Sequence, residues 1–154
     1  MDVRQRLSAA LKDAMKAKEA DRLSTLRLIN AAIKDRDIAL RGTGAEEGAV
    51  VGEDDVLAIL GRMVKQRQES ARAYEEGGRL ELAEKEMAEI KVIGEFLPRQ
   101  LDEAETGAAV DAAIVETGAT GIRDMGRVMA ALKDKYTGQM DFARVGPMVK
   151  DRLG

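Results

Sequence analysis

The densest run of side chains able to bind or transfer protons is Lys65-Gln66-Arg67-Gln68-Glu69-Ser70-Ala71-Arg72-Ala73-Tyr74. On a helix, Arg67 shares a stripe with Leu60, Met63, Val64, Ala71 and Tyr74, so its stem should be partly buried and its guanidinium should need an acid. Glu86 lies on the stripe of Ala83, Met87 and Ile90, and a turn at Gly77-Gly78 would set the two helices antiparallel. An Arg67–Glu86 pair is therefore expected. Lys65, Arg67, Glu86 and Glu89, with Arg79 beside them, are the candidate catalytic groups. They read either as a polar site between helices or as an ion-paired latch that sets helix register. No pair of carboxylates here is isolated in an apolar setting that would split their proton affinities.

What is missing narrows the chemistry further. The chain has no histidine and no cysteine, which removes the usual general base near neutral pH, a thiolate nucleophile, the Ser-His-Asp triad and thiolate metal sites. The three serines, Ser8, Ser24 and Ser70, lie in no glycine-rich elbow. Gly42-Thr43-Gly44 runs into acidic residues rather than Gly-Lys-Ser/Thr, so it is no phosphate loop. No metal site and no cofactor are expected.

The net charge of −3 conceals alternating blocks: residues 1–41 carry ten basic and six acidic side chains, and residues 80–105 carry three and eight. If the first and third helices share a face, Lys12, Lys16, Lys18, Arg27, Arg62, Lys65 and Arg72 would form a basic surface able to meet phosphates. The alternative is a set of solvated faces paired with acids on the fourth helix. A pI near 5.2 argues against strong nonspecific nucleic-acid binding.

The elements that must position these groups are helical. Only 3% of residues are aromatic and 34% are charged, a composition of helices with solvated outer faces. Val3, Leu7, Ala10, Leu11 and Ala14 mark a first helix; Leu23, Leu26, Ile29, Ile33 and Asp37 mark a second. Residues 42–52, with four glycines, read as a mobile surface loop. Glu53-Asp54-Asp55 suits a helix start, and the third helix runs to Gly77-Gly78. A fourth carries Leu80, Ala83, Met87, Ile90, Ile93 and Leu97 on one side and stops at Pro98, which marks a domain boundary. The expected class is all-α: a bundle of about four helices over 1–97, then a small three-helix tail over 98–154.

In the tail the expected helices run from Asp102 to about Thr117, from Asp124 to about Tyr136, and between Asp141 and Leu153. Pro147 predicts a kink or a late start for the last. Met125, Val128, Met129 and Leu132 have core spacing, and Gly126 within that helix suggests close approach of another backbone. No stretch approaches the roughly 20 apolar residues of a membrane span, and the first residues lack a signal-peptide core, so the expected compartment is the cytoplasm.

Several of these segments together resemble the GatB/YqeY domain family. They are Leu26-Arg27, Lys65-Gln66-Arg67 with Glu69-Ser70 and Tyr74, Gly78-Arg79, Leu82-Ala83-Glu84-Lys85-Glu86, Glu89-Ile90, Phe96-Leu97-Pro98-Arg99-Gln100, Asp124-Met125-Gly126-Arg127-Val128-Met129, Gly138, Asp141 and Val149-Lys150. The resemblance implies a helical N-terminal domain and a tail similar to the C-terminal part of the GatB component of the glutamine-dependent Asp-tRNA/Glu-tRNA amidotransferase, where such a domain contacts tRNA. Carbon–nitrogen ligase chemistry with glutamine as amido donor is implied by association, without matching amidase or ATP sites. Phe96 stands where tyrosine is common, and Gly138-Gln139-Met140-Asp141 lacks the basic residue often found after the glycine.

The resemblance makes a binding module for tRNA, or for tRNA amidotransferase subunits or another translation-related protein, the leading expectation. Arg123, Arg127, Lys133 and Lys150 are its phosphate-contacting candidates, with Lys65 and Arg72 as a second face. Alternatives are a tRNA-directed amidase or amide-transfer accessory using Lys65, Arg67, Glu86 and Glu89, and a structural protein-interaction domain.

Overall fold

A computed structural model describes residues 2–154, which form seven α-helices, one short 3₁₀ turn and no strand. The chain divides between Leu97 and Pro98 into two compact units, each with its own hydrophobic core.

The first unit holds α1 (Val3–Ala17), α2 (Ala20–Gly42), α3 (Glu53–Glu76) and α4 (Leu80–Gly94). Asp2 opens α1 with a capping box, accepting from the Gln5 amide at 2.8 Å while Gln5 accepts from the Asp2 amide at 3.1 Å. Lys18 closes it in the left-handed conformation at φ 57°, leaving a two-residue link to α2. Leu7 and Ala14 on α1, Leu26, Ile29 and Ile33 on α2, Val56, Leu60 and Met63 on α3, and Ile93 and Phe96 pack into one core. Each such large side chain contributes about 1.5–3 kcal/mol when removed from water.

The 42–52 segment is not free along its length, as its glycines suggested. Asp37, buried on the core stripe of α2, accepts from Arg4 Nη2 at 2.7 Å and Nη1 at 3.1 Å, and from the Val51 amide at 2.9 Å. Arg4 also donates to the Val51 carbonyl at 3.2 Å. A buried carboxylate needs such donors, and the sequence of the loop itself gives no sign of them. The clasp pins the loop's end where α3 begins.

Beyond Val64, α3 contributes no residue to the core cluster. The distal parts of α3 and α4 form a two-helix arm with a narrow seam at Ala71 and Ala83. Leu80 and Met87, expected on the inner side of α4, are therefore 61% and 52% exposed. The inward line is instead Ala83, Glu86, Ile90 and Ile93.

The second unit holds α5 (Glu103–Thr117), a 3₁₀ turn (Ile122–Asp124), α6 (Met125–Tyr136) and α7 (Phe142–Leu153) around Val110, Val128, Leu132, Val145 and Val149. Asp102 caps α5 in a capping box with Glu105. The last helix does not start late: the Asp141 carboxylate accepts from the Ala143 amide at 3.1 Å and Pro147 lies inside. The proline removes the donor that would serve the Ala143 carbonyl, but both residues are exposed, so water can take that place. The stripe Phe142, Val145, Val149 and Leu153 rewards the longer helix.

Candidate functional site

The arm brings together only part of the predicted charge cluster. Gly78, at φ +74°, reverses the chain, with the Arg79 amide donating to the Tyr74 carbonyl at 2.7 Å. Across this turn Arg67 Nε donates to Glu89 Oε2 at 2.9 Å, and Arg67 Nη1 to the Met63 carbonyl at 3.1 Å. The two side chains are 15% and 17% exposed. The partner is thus Glu89, not the expected Glu86. Register explains this: Arg67 lies ten residues before Gly77, Glu89 eleven after Gly78 and Glu86 only eight. Glu86 is half-buried, while Lys65, Arg72 and Arg79 are exposed.

Chemically, the pair satisfies itself. Its carboxylate is taken up by the guanidinium, and neither Arg67 nor Glu89 lines either of two shallow grooves of the bundle. Among the described residues no group of three acidic side chains is placed to hold a metal ion.

The tail candidates fall into two kinds. Asp124 accepts from the Thr120 amide at 3.0 Å and from Arg127 Nη2 at 2.9 Å, and Arg127 Nη1 donates to the Thr117 carbonyl at 3.1 Å. The Thr120 amide first, then the Arg127 guanidinium, pull the Asp124 carboxyl down to about 2. Arg127 is therefore committed to holding the turn before α6. Arg123, Lys133 and Lys150, by contrast, are exposed and form no ion pair among the described residues.

Gly126 shares a flank of α6 with Ala130 and Lys133, at i, i+4 and i+7. A Cβ at Gly126 would meet nothing within 4 Å, so the close backbone approach expected there is not made within the described chain. Gly126, Ala130 and Lys133 are all exposed. Sequence reasoning missed the polar pins that tie residues 99–101 to the turn after α6: Gln139 Nε2 donates to the Arg99 carbonyl at 3.1 Å, the Leu101 amide to the Gln139 carbonyl at 3.0 Å, and Gln100 to the Gly138 carbonyl. It also missed the Arg4–Asp37 clasp, whose signal was an acid on an otherwise apolar stripe.

No helix among the described residues is long and apolar enough to cross a membrane. The sequence pattern of a family described as Yqey-like protein matches residues 4–153. Among curated proteins, the chain is 36% identical over 91 residues to "Altered inheritance of mitochondria protein 41, mitochondrial" of Clavispora lusitaniae, covering 59% of this chain and 49% of that one. It is 31% identical over 88 residues to "Uncharacterized protein C22F3.15" of Schizosaccharomyces pombe, covering 57% and 66%. The matched region thus spans about half of the first relative and just under two thirds of the second.

Proposed function

Because the chain belongs to the Yqey-like protein family, we propose that it is a tRNA-associated binding module of the cytoplasm that engages tRNA, or an amidotransferase or other translation-related assembly, through its tail. The observation that carries this reading is that Arg123 before α6, Lys133 on α6 and Lys150 on α7 are exposed and form no ion pair among the described residues, while the Gly126 flank of α6 is uncovered. Unpaired cations gain counterion-release energy on meeting phosphates, whereas Arg127 would first have to leave Asp124. Any carbon–nitrogen ligase chemistry resides in the partner, since Arg67 and Glu89 neutralise one another.

The test is a gel-shift titration of total tRNA with purified protein, alone and with amidotransferase subunits, at two salt concentrations. Arg123→Glu/Lys133→Glu/Lys150→Glu should weaken binding by more than tenfold and flatten the salt dependence by about three phosphate contacts, while Arg127→Gln has the smaller effect. Absence of any shift at low salt, in both preparations, refutes the reading. A salt-insensitive protein complex indifferent to tRNA would favour a structural interaction domain instead.

A further inference from the structure

Two shallow grooves mark the bundle, and they differ in how their arginines are used. One, of about 340 Å³, is lined by Arg6, Ala10, Asp13, Arg22, Glu95 and Phe96. Its cations are occupied: Arg22 is paired with the Glu95 carboxylate, and Arg6 donates to the Glu95 carbonyl at 2.6 Å and lies 5.5 Å from the Phe96 ring centroid. The other, of about 370 Å³, lies between α2 and α3. Its floor is Ala32, Ala39, Ile59 and Met63, and its rim carries Arg36, Arg62, Asp35 and Gln66. Arg36 and Arg62 are exposed and take no intramolecular acid among the described residues.

The groove has the form of a helix-receiving surface. Leu28, 44% exposed, extends the α2 wall as Leu28, Ala32, Asp35 and Ala39, at i, i+4, i+7 and i+11, a length of about 16 Å at 1.5 Å per residue. The facing wall on α3 is Ile59, Arg62, Met63 and Gln66, at i, i+3, i+4 and i+7. Alanines leave room for a partner's larger side chains, and two guanidiniums against one carboxylate give the rim a positive excess in a chain of net charge −3.

We propose that this groove binds a short acidic amphipathic helix of another protein, with apolar residues on the Ala32–Ala39–Ile59–Met63 floor and carboxylates on Arg36 and Arg62. The apolar floor favours a peptide over a nucleic-acid backbone, which would use the cations and leave the floor uncovered. The inference does not depend on the tail's cations, and its failure leaves the tRNA reading standing.

The test is selection from a displayed library of random 14-residue peptides on the full chain, followed by fluorescence anisotropy with the enriched peptides. The expected winners are acidic, with apolar residues at i, i+3 or i+4, and i+7, and they bind Arg36→Glu/Arg62→Glu and the groove-filling Ala39→Trp at least tenfold more weakly. Circular dichroism melting keeps the comparison to folded variants. A selection without enrichment, enrichment of basic or unpatterned peptides, or winners indifferent to both variants overturns the proposal. So does an RNA oligonucleotide whose binding falls tenfold with Arg36→Glu/Arg62→Glu when no peptide competes for it.

Discussion

In the bundle two ion pairs lie inward, Arg4–Asp37 at 31% and 7% side-chain exposure and Arg67–Glu89 at 15% and 17%, with Arg22–Glu95 more open at 29% and 49%, whereas in the tail Arg99–Glu105 and Arg152–Asp111 each keep one partner more than 60% exposed. The contrast bears on what each charge can do. Removing one partner of an inward pair strands a desolvated charge. Outward pairs are screened and contribute little to stability, so Arg99 and Arg152, unlike Arg127, can leave their acids at little cost to the fold. The inward pairs of the bundle are committed to geometry; the exposed Arg36 and Arg62 of its groove, like Arg123, Lys133 and Lys150 in the tail, are not.

The comparison breaks most directly at Asp37. Asp37→Ala should cost about 3 kcal/mol, since it leaves the Val51 amide without its acceptor and a partly buried Arg4 with only the Val51 carbonyl; in the tail, Asp124→Ala should lower the thermal midpoint visibly less. Equal losses in urea titrations would contradict the distinction. Acid sharpens the same point. Arg4 chiefly holds the Asp37 carboxyl below its ordinary range, and Arg99 holds Glu105 at about 2 against an ordinary 4.5. Lowered folded values add stability that is present above the ordinary carboxylate range and lost as pH falls through the folded one. As pH falls below the ordinary carboxylate range, Asp37→Asn should therefore flatten the loss of stability more than Glu105→Gln, because water screens the latter pair.

A smaller effect is expected at the arm. Glu89→Ala should cost about 2 kcal/mol by orphaning Arg67, whereas Arg67→Met/Glu89→Leu together should stay within about 1 kcal/mol of the parent, apolar packing replacing the pair. A double variant as damaged as the single one would mean that the pair does more than set register. The arm also shows where the sequence was legible and where it was not. Breaks and one helix start were readable because Gly77-Gly78, Pro98 and Asp102 act through local backbone chemistry, whereas the Asp2 capping box went unread and the start at Asp141 was obscured by Pro147. Which face of α4 turns inward was not, because Leu80 and Met87 fit the helical period as well as Glu86 and Ile90 do. The choice depends on α4 meeting only one neighbour there. The Asp37 clasp joins α1, α2 and the start of α3, and no window along the chain holds Arg4, Asp37 and Val51 together. On the tail, single side chains such as Arg127 and Lys133 look alike in sequence; only the folded turn separates the committed cation from the open one.

The smallest effect concerns the backbone between α1 and α2. Lys18 holds φ 57°, the one positive value among the described non-glycine residues, because only two residues join α1 to α2 and the Glu19 amide must return to the Ala14 carbonyl at 3.0 Å. A side chain in that conformation is strained where glycine is not, although glycine also loses more freedom on folding. Lys18→Gly should therefore raise stability by about 0.5–1 kcal/mol, read as a higher midpoint in chemical denaturation. The gain would belong to the bundle's geometry alone: Lys18 is exposed and takes part in none of the tail's proposed contacts, so tRNA binding should not change with it. A Lys18→Gly variant that is more stable yet weaker for tRNA would move the nucleic-acid surface onto α1 and erase the division of labour between the two regions.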